Sequence, residues 1–532
     1  MRRHALLPLL FACLGLSAVA ESGSAEATLE LALPASATRG TTLDALQQAR
    51  ARLAELGIDT QRCGTDLAHG TLVVDLVDDA EKKAVLAAGF QVVRSFDAKP
   101  LAQSRTQSQY LDPANVDSAL AQIHSDHPSI TRRFVVGTTF EGREIHGIEI
   151  SNQPGVDEDE PALLWNGQHH SREVATSHVA MDVVERLTDG YGSDATLTRW
   201  VNDYKTVVVP MVNPDGTQYV FSFNSNWRKN RRAYEGSCVG VDLNRNYPYR
   251  WGPAGCTTPS SCASFTYPGP SASSEAETLG MIDLAEYWNF TLATSYHSFG
   301  RFIDYPYACS TGNPADRVPE HDVIDEIMNG MADAIDAVDA VLRYDVYSST
   351  ALGPLNGDDT SWYFAAQGTY AMVVEVGTAF EPAFSQVAGI VSRNRGGWRY
   401  LYERLDAARI DVHTTDALTS NPIEAIVTLT QSSYDTGESP RVTSLPFGRW
   451  TYLVVANATY TVRVSAPGYA QQEFEVSVGS TLATLDVALS PDAAPIPTGP
   501  RWLTWLLAAT LLAVASLRRR STWGTPPATH DR

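Results

Sequence analysis

The sequence predicts an α/β protein with a small α/β unit before its main sheet and an all-β unit after it. Between about residues 110 and 408, helical patterns alternate with apolar strands, which indicates an α/β sheet. Residues 411–491 instead form short alternating runs, which is typical of a β-sandwich. At 532 residues the chain is too long for one ordinary core, and its length predicts about three or four units.

The N-terminal segment combines an export signal with a small folded unit. A signal peptide is predicted at 1–20, because basic residues at the start of the chain are followed by an apolar run over 5–16 and by small residues up to Ala20. Helices are predicted over 43–56 and 80–88, and strands over 71–77 and 90–94. The polar stretch at 103–108 is an accessible place for proteolysis.

The main unit begins near Tyr110 and ends with a helix near 397–408. Its predicted helices include 116–124 and 177–188, and its predicted strands are 162–165, 206–212, 291–295 and 371–376. The all-β unit then has predicted strands at 424–430, 451–455, 459–465 and 472–478. A proline-rich linker and a hydrophobic tail follow.

The tail contains an apolar run of 16 residues, 502–517, closed by three arginines. The run is slightly short for a full membrane span, so a membrane anchor, a processed sorting tail and a buried soluble helix are three alternatives. The arginines favour the cytoplasmic side, which would leave the main unit outside. We therefore expect an exported protein, extracellular or at the cell surface, that is transiently or stably anchored.

Charge and cysteine content restrict partners and compartment. The 61 acidic residues outnumber 40 basic ones, giving a net charge of -21 without a basic stripe, so nucleic acid is not an expected partner. Cys13 is lost with the signal peptide, and Cys63 lies in the N-terminal unit. The other four cysteines predict two disulfides in an oxidising compartment, with three connectivities open; one bridge and two free thiols is the alternative. The four cysteines concerned are Cys238, Cys256, Cys262 and Cys309.

A metal site is predicted where an imidazole and a carboxylate lie three residues apart. His170 and Glu173 can reach one ion from a single turn, and a catalytic zinc ion usually takes a third protein ligand. His297, at the end of an apolar strand, is the candidate. Glu375 lies within another apolar strand, where an ionised carboxylate without a function would be costly.

The order of these motifs closely resembles the zinc carboxypeptidase family, which includes the pancreatic enzymes and secreted bacterial carboxypeptidase T-like enzymes. The matching segments are 170–173, 227–229, 241–246, 297 and 373–377, and the resemblance spans about 108–405. It implies a mixed-sheet catalytic domain at 108–408 with one zinc ion (Zn2+) per chain. It also implies a pro-domain at 21–107, a transthyretin-like sandwich at 409–491 and a linker and tail at 492–532.

The resemblance also implies roles for individual residues. Glu375 would act as the general base and Arg228 would stabilise the developing oxyanion. Asn244 and Arg245 would bind the substrate carboxylate, and Arg172 would contact the substrate upstream of the cleaved bond. Asp242 would accept a hydrogen bond from His170. Cys238 would pair with Cys262, which leaves Cys256 for Cys309.

The loop before Trp362 departs from the family pattern. A mobile tyrosine is expected nine residues earlier, where this chain has Gly353; Tyr347 is the nearest upstream tyrosine. In the same loop, Asp358 could place negative charge in the pocket for the departing side chain. A basic or mixed preference would follow, and the resemblance to bacterial relatives with an acid at this position implies mixed specificity for apolar and basic terminal residues.

These observations predict a secreted zinc-dependent carboxypeptidase that acts on the C-termini of peptides or proteins. Its pro-domain would be a possible inhibitor, removed by an activating protease, and its tail would contact the membrane. One alternative is an amidohydrolase that uses the same zinc site on cell-wall peptides or acyl-amino acids. A more remote alternative is an anchored binding protein without turnover.

Overall fold

The computed structural model describes residues 27–34, 39–60, 63–96, 109–234, 238–252, 256, 261–309, 318–341, 343–352, 355–434 and 436–492. The predicted signal peptide, the cleavage segment at 103–108, Gly353 and the hydrophobic tail lie outside these residues. Within the described ranges, no helix is long and apolar enough to cross a membrane.

Residues 27–96, here called the N-terminal unit, form a three-stranded sheet with two helices. Its elements are β1 (Ala27–Ala32), α1 (Arg39–Glu55), β2 (Thr71–Leu76), α2 (Asp79–Ala87) and β3 (Val92–Phe96). The sequence-based prediction lacks β1, although this is the central strand, antiparallel to both neighbours. The polar side chains of β1 form hydrogen bonds with side chains of β2: Thr28 donates to Asp75 at 2.7 Å, and Glu30 accepts from Thr71 at 2.8 Å.

Residues 109–406, the central unit, contain an eight-stranded sheet in the order β10-β9-β11-β8-β6-β7-β5-β4. Strands β11, β8, β6 and β7 run parallel, whereas β4, β5 and β9 introduce antiparallel pairs, so the predicted mixed α/β sheet is confirmed. The elements are α3 (Pro113–Asp126), β4 (Thr131–Thr138), β5 (Glu144–Ile150), β6 (Ala162–Gly167), α4 (Thr176–Gly190), α5 (Ala195–Asp203), β7 (Lys205–Val209), α6 (Pro214–Ser222), α7 (Ala276–Trp288), β8 (Leu292–His297), β9 (Phe302–Tyr305), α8 (His321–Asp336), β10 (Asp345–Ser348), α9 (Asp359–Trp362), β11 (Tyr370–Glu375) and α10 (Phe384–Asp406).

Helices cover both faces of the parallel strands, which explains why these strands are buried throughout. Trp165 of β6 belongs to a core shared with α4, α8 and α10, whereas its neighbour Leu164 belongs to the core beside α7. Successive side chains of one strand thus enter opposite cores. The sheet is therefore buried on both sides, and its strand ends are the places where polar side chains can form a cleft.

Helix α10 begins thirteen residues before its predicted start near residue 397. Gly396 and Gly397 suggest a helix break in the sequence. In the fold they allow α10 to approach α8, because a Cβ at Gly396 would lie 2.3 Å from the carbonyl oxygen of Ala334 and one at Gly397 would lie 2.9 Å from Ile335. Close helix packing therefore overrides the low helix propensity of these glycines.

Residues 409–492, the C-terminal unit, form two sheets in the orders β15-β12-β18 and β14-β13-β16-β17. The strands are β12 (Arg409–Asp416), β13 (Ile426–Leu429), β14 (Arg441–Val442), β15 (Arg449–Leu453), β16 (Ala458–Ser465), β17 (Gln472–Val478) and β18 (Ala483–Leu489). Both sheets contribute to one hydrophobic core. Hydrogen bonds from Tyr370 to Leu453 (3.1 Å) and from Arg404 to Val454 (2.7 Å) join this unit to the central unit. The domain boundaries remain predictions.

Two disulfides join loops of the central unit. Cys238 pairs with Cys262, and Cys256 pairs with Cys309, as the family resemblance implies. The alternative with one bridge and two free thiols is therefore wrong. Cys63 is the free cysteine of the described residues, and it is buried.

We expect the C256S/C309S double variant to be less stable than the parent. The chain-entropy model gives about 4 kcal/mol for a bridge with a sequence separation of 53 residues. Denaturant unfolding of the oxidised proteins would measure this loss, and the reduced proteins should differ little. Equal stability of the oxidised forms would contradict a structural role for the bridge.

Candidate metal centre and cleft

The residues predicted to bind the metal meet at the carboxyl ends of the parallel strands. Substrates and cofactors of open α/β sheets usually bind at this edge. His297 ends β8 and lies opposite Glu375, which ends β11. Strand β6 leads through Gln168, with a positive φ of 54°, into the turn that carries His170 and Glu173. Three neighbouring strands therefore deliver the polar groups of the site.

Donor atoms of the three predicted ligands converge on one point. His170 Nδ1 lies 2.7 Å from Glu173 Oε1, His297 Nδ1 lies 3.0 Å from Glu173 Oε2, and the two Nδ1 atoms are 3.0 Å apart. Tetrahedral zinc with bonds of about 2.0–2.1 Å separates such ligand atoms by about 3.3 Å. The His2Glu set therefore fits a zinc ion after a small outward adjustment of the side chains.

Asp242 connects the metal ligands to Arg228. Its Oδ1 lies 3.1 Å from His170 Nε2, and its Oδ2 accepts from Arg228 Nε at 3.0 Å and Nη2 at 2.9 Å. Burial opposes ionisation, but Arg228 and the other nearby cations hold the pKa of Asp242 well below its usual value. An ionised Asp242 orients His170 so that Nδ1 faces the metal position.

Burial and neighbouring charge act differently on the two histidine ligands. For His170, burial and then the Arg228 cation lower the pKa, which favours the neutral ring that a metal needs. For His297, burial also favours the neutral ring, but Glu173 outweighs it and raises the pKa to about 9. A bound divalent cation would displace that proton.

Glu375 is a buried carboxylate beside the metal trio. Burial, followed by the Glu173 carboxylate, raises its pKa to about 8, and a divalent cation would oppose this shift. Its Oε2 has no hydrogen-bond partner among the described residues. The carboxylate lines a small cavity shared with His170, Arg228, Arg245 and His297.

The residues predicted to bind a terminal carboxylate have different local contacts. Arg245 lines the cavity and is buried. The Asn244 amide lies 3.2 Å from His297 Nε2, and its oxygen accepts from the Asp359 backbone at 2.8 Å. Asp358 also lines the cavity, but its Oδ1 caps α9 by accepting from Ser361 N at 2.8 Å. Asp358 therefore has a structural task besides any role in the pocket.

Arg172, predicted to contact substrate, binds the N-terminal unit in this structure. Both of its Nη atoms donate to Asp75, at 2.9 Å and 2.7 Å, and the guanidinium lies over the Phe380 ring. Arg301 makes a second contact with this unit through Asp66 at 3.2 Å. The cavity beside the metal trio is about 20 Å³, which is room for about one water molecule.

Sequence reasoning did not place Cys63 or Asp304 at the site, although the side chains of both can carry chemistry and both residues line this cavity. Asp304 lies in the apolar strand β9, and this acidic residue in an apolar run was a usable signal. Cys63 gave no such signal. Tyr347 lies in β10, where its ring contacts Phe302, and His169 has a hydrogen bond of 3.0 Å with Tyr247. That contact supports a structural role for His169.

A family model described as "Zinc carboxypeptidase" matches residues 116–394, which is more than half of the chain. The chain belongs to the zinc carboxypeptidase family. The prediction of a zinc metallopeptidase of the hydrolase class is thereby confirmed at the level of family, and so is zinc as the cofactor.

Named relatives agree with this membership. A zinc carboxypeptidase of Saccharothrix mutabilis subsp. capreolus is 29% identical over 273 residues, covering 48% of this chain and 61% of the relative. Carboxypeptidase A1 of Sus scrofa is 32% identical over 213 residues, covering 40% of this chain and 49% of the relative. The match to a metallocarboxypeptidase A-like protein of Trichophyton verrucosum covers 56% of that protein. The chain thus spans 49–61% of the length of these three curated relatives.

Solved structures share the fold. The crystal structure of thrombin activatable fibrinolysis inhibitor aligns with a TM-score of 0.56 at 20% identity, covering 71% of this chain and 98% of that one. The structure of carboxypeptidase A from Helicoverpa armigera aligns with a TM-score of 0.56 at 20% identity, covering 72% of this chain and 96% of that one. These alignments show a shared fold over 71–72% of the chain.

Proposed function

We propose that this family member is a secreted carboxypeptidase precursor that hydrolyses the C-terminal peptide bond of peptides or proteins. The observation that carries the proposal is the convergence of Glu375, Arg228 and Arg245 on the cavity beside the zinc ligands. Hydrolysis needs a base and an oxyanion partner, and recognition of a chain end needs a cation for the free carboxylate. All three groups are present at one place.

Glu375 is the proposed general base. Zinc, when bound, acts as a Lewis acid that polarises a carbonyl group and makes water more acidic. The Glu375 carboxylate takes a proton from the attacking water and delivers it to the nitrogen of the leaving amino acid. Its position opposite His297 in the β8–β11 pair keeps it next to the metal ligands.

Arg228 and Arg245 are proposed to bind two different oxygen groups of the substrate. Arg228 is buried and fixed by Asp242, so its guanidinium can stabilise charge that develops on the carbonyl oxygen without reorganising. Arg245 offers a planar donor group suited to a carboxylate. Amides and internal peptide bonds lack that carboxylate, which would restrict cleavage to the chain end.

The N-terminal unit is proposed to be an inhibitory pro-domain removed by another protease. It binds Arg172 and leaves a cavity too small for a peptide terminus. The two disulfides support folding outside the cytosol. Anchoring through the C-terminal tail remains a prediction from its sequence.

We expect D75N to weaken docking of the N-terminal unit. In the docked state this variant leaves the buried Arg172 cation without its charged partner, which costs about 3–5 kcal/mol. Peptidase activity of the intact full chain should therefore rise at least tenfold. D44N, which changes an exposed carboxylate on α1, is the matched control and should keep the parental activity. If the intact D75N variant showed the same peptidase activity as the intact parent, the proposed inhibitory contact would be contradicted.

Asp304 is proposed to act with Asp358 in the pocket for the departing side chain. Both line the cavity, but the capping bonds of Asp358 reduce its freedom to bind a cation. We expect D304N to lower kcat/KM for terminal Lys or Arg by roughly 10- to 100-fold, from about 1.5–3 kcal/mol per charged hydrogen bond. Terminal Leu or Phe should change much less. Equal losses for all substrates would contradict a role in specificity.

The substrate test uses blocked dipeptides that end in Phe, Leu, Lys, Arg or Glu, together with their C-terminal amides. After proteolytic release of the N-terminal unit, the enzyme should hydrolyse the free acids rapidly and the amides only slowly. Chelation should abolish turnover and zinc should restore it. No turnover of free acids by a zinc-loaded processed protein would overturn the proposal in favour of a specialised amidohydrolase or a binding protein.

A further inference from the structure

The N-terminal unit inserts a thiol into the metal centre. Cys63 lies in the loop between α1 and β2, and its side chain is buried. Its Sγ is 3.5 Å from His170 Nδ1 and 3.9 Å from His297 Nδ1. One donor atom each from Cys63, His170, Glu173 and His297 fits within a group whose members lie at most 4.8 Å from one another.

These distances match a tetrahedral site in which sulfur is the fourth ligand. Zinc bonds of about 2.3 Å to sulfur and about 2.0–2.1 Å to nitrogen place the two ligand atoms about 3.6 Å apart. The three central-unit ligands leave one position open, and Cys63 lines the same small cavity as His170 and His297. A site with four protein ligands is typical of structural, closed zinc centres.

We propose that Cys63 is the fourth zinc ligand of the precursor and thereby holds the metal centre closed. This inference rests on the proposed function, because closure matters only if the open centre is catalytic. Coordination forms one bond between the Cys63 sulfur and the ion, and the thiol proton leaves to solvent. Withdrawal of the N-terminal unit breaks that bond and returns the fourth position to water or substrate.

The two residues that follow Cys63 are held by contacts with both units. Gly64 N donates to the Phe299 carbonyl oxygen at 2.7 Å, and Arg50 Nη2 donates to Thr65 Oγ1 at 3.0 Å. Gly64 has a φ of +86°, and a Cβ there would lie 2.7 Å from the Val73 side chain. The loop conformation therefore requires glycine next to the cysteine. Such a fixed loop can present sulfur at a defined position.

The salt bridges of the N-terminal unit surround this loop. Asp66, three residues after Cys63, contacts Arg301, and Asp75 on β2 contacts Arg172. Each pair is buried and joins the N-terminal unit to the central unit. Docking thus restrains the thiol near the metal position, which raises its effective concentration there. Zinc coordination and surface contacts should consequently strengthen each other.

The test compares the cobalt-substituted full chain with C63S and C63A variants. Thiolate bound to cobalt(II) produces an intense near-ultraviolet charge-transfer absorption that oxygen and nitrogen ligands do not. We expect this absorption in the intact parent at one cobalt per chain, and its loss in both variants and after proteolytic release of the N-terminal unit. Intact C63S should also show at least tenfold higher peptidase activity than the intact parent.

The outcomes separate this inference from the proposed function. A parent precursor that binds cobalt without the charge-transfer absorption would overturn Cys63 coordination, even if the processed enzyme is fully active. Absorption that persists in C63S and C63A would likewise overturn it. The absorption together with an inactive processed enzyme would support the ligand assignment while contradicting the carboxypeptidase proposal.

Discussion

Replacement of Glu375 by glutamine should lower kcat of the processed enzyme by about 10²–10⁴-fold, the usual contribution of a positioned general base. The amide keeps the size of the side chain but cannot accept and return the water proton. Zinc content should remain at one ion per chain, because the ligands His170, Glu173 and His297 are unchanged. Steady-state kinetics together with metal analysis would measure both effects.

Glu277 provides a matched control for this experiment. It is another buried glutamate, in α7, and burial raises its pKa to about 8, the same value as for Glu375. It lies outside the cleft and accepts a hydrogen bond from Asn230 at 3.3 Å. E277Q should therefore keep near-parental kcat. Similar losses in both variants would indicate that removing any buried carboxyl group harms the fold, and would contradict a specific role for Glu375.

Replacement of Arg245 by methionine should remove the distinction between a free terminal carboxylate and an amide. Truncating one member of a buried charge pair costs about 2–5 kcal/mol, so kcat/KM for free acids should fall roughly 30- to 5,000-fold. Hydrolysis of C-terminal amides, already slow, should change little. Competition between matched acid and amide substrates would measure the selectivity directly.

Arg232 is the control for Arg245, since it lies thirteen residues earlier in the central unit but is partly exposed and donates to the Ser274 carbonyl oxygen. R232M should retain both activity and preference for free acids. If R245M also retained that preference, Arg245 would not be the carboxylate-binding residue, and recognition of the chain end would have to come from another cation of the cleft.

Much of the central fold was predictable because parallel strands buried on both faces are nearly continuous apolar runs. Strand β6 and strand β11 are examples, and their ends locate His170 and Glu375. The prediction failed where tertiary contacts decide the structure. Strand β1 depends on polar pairing with β2. The start of α10 was mispredicted because Gly396 and Gly397 suggest a helix break, whereas in the fold they allow α10 to pack closely against α8.

The site shows the same division between local and long-range information. The spacing of His170 and Glu173 is a local signal, and the structure brings both to His297, as predicted. The Arg172 contact with Asp75 joins residues 97 positions apart, and Cys63 lies 107 positions from His170. No pattern within one segment reveals such contacts, because they arise from packing between the N-terminal unit and the central unit.

The small volume of the cavity also bears on the order of assembly. With all proposed ligand side chains buried and about 20 Å³ of space beside them, a hydrated zinc ion has no room to enter once the N-terminal unit has docked. Metal acquisition must then precede docking or accompany it. A chelator would accordingly strip the ion from the intact chain only as fast as the two units separate, so the rate of zinc loss would report how often the precursor opens spontaneously.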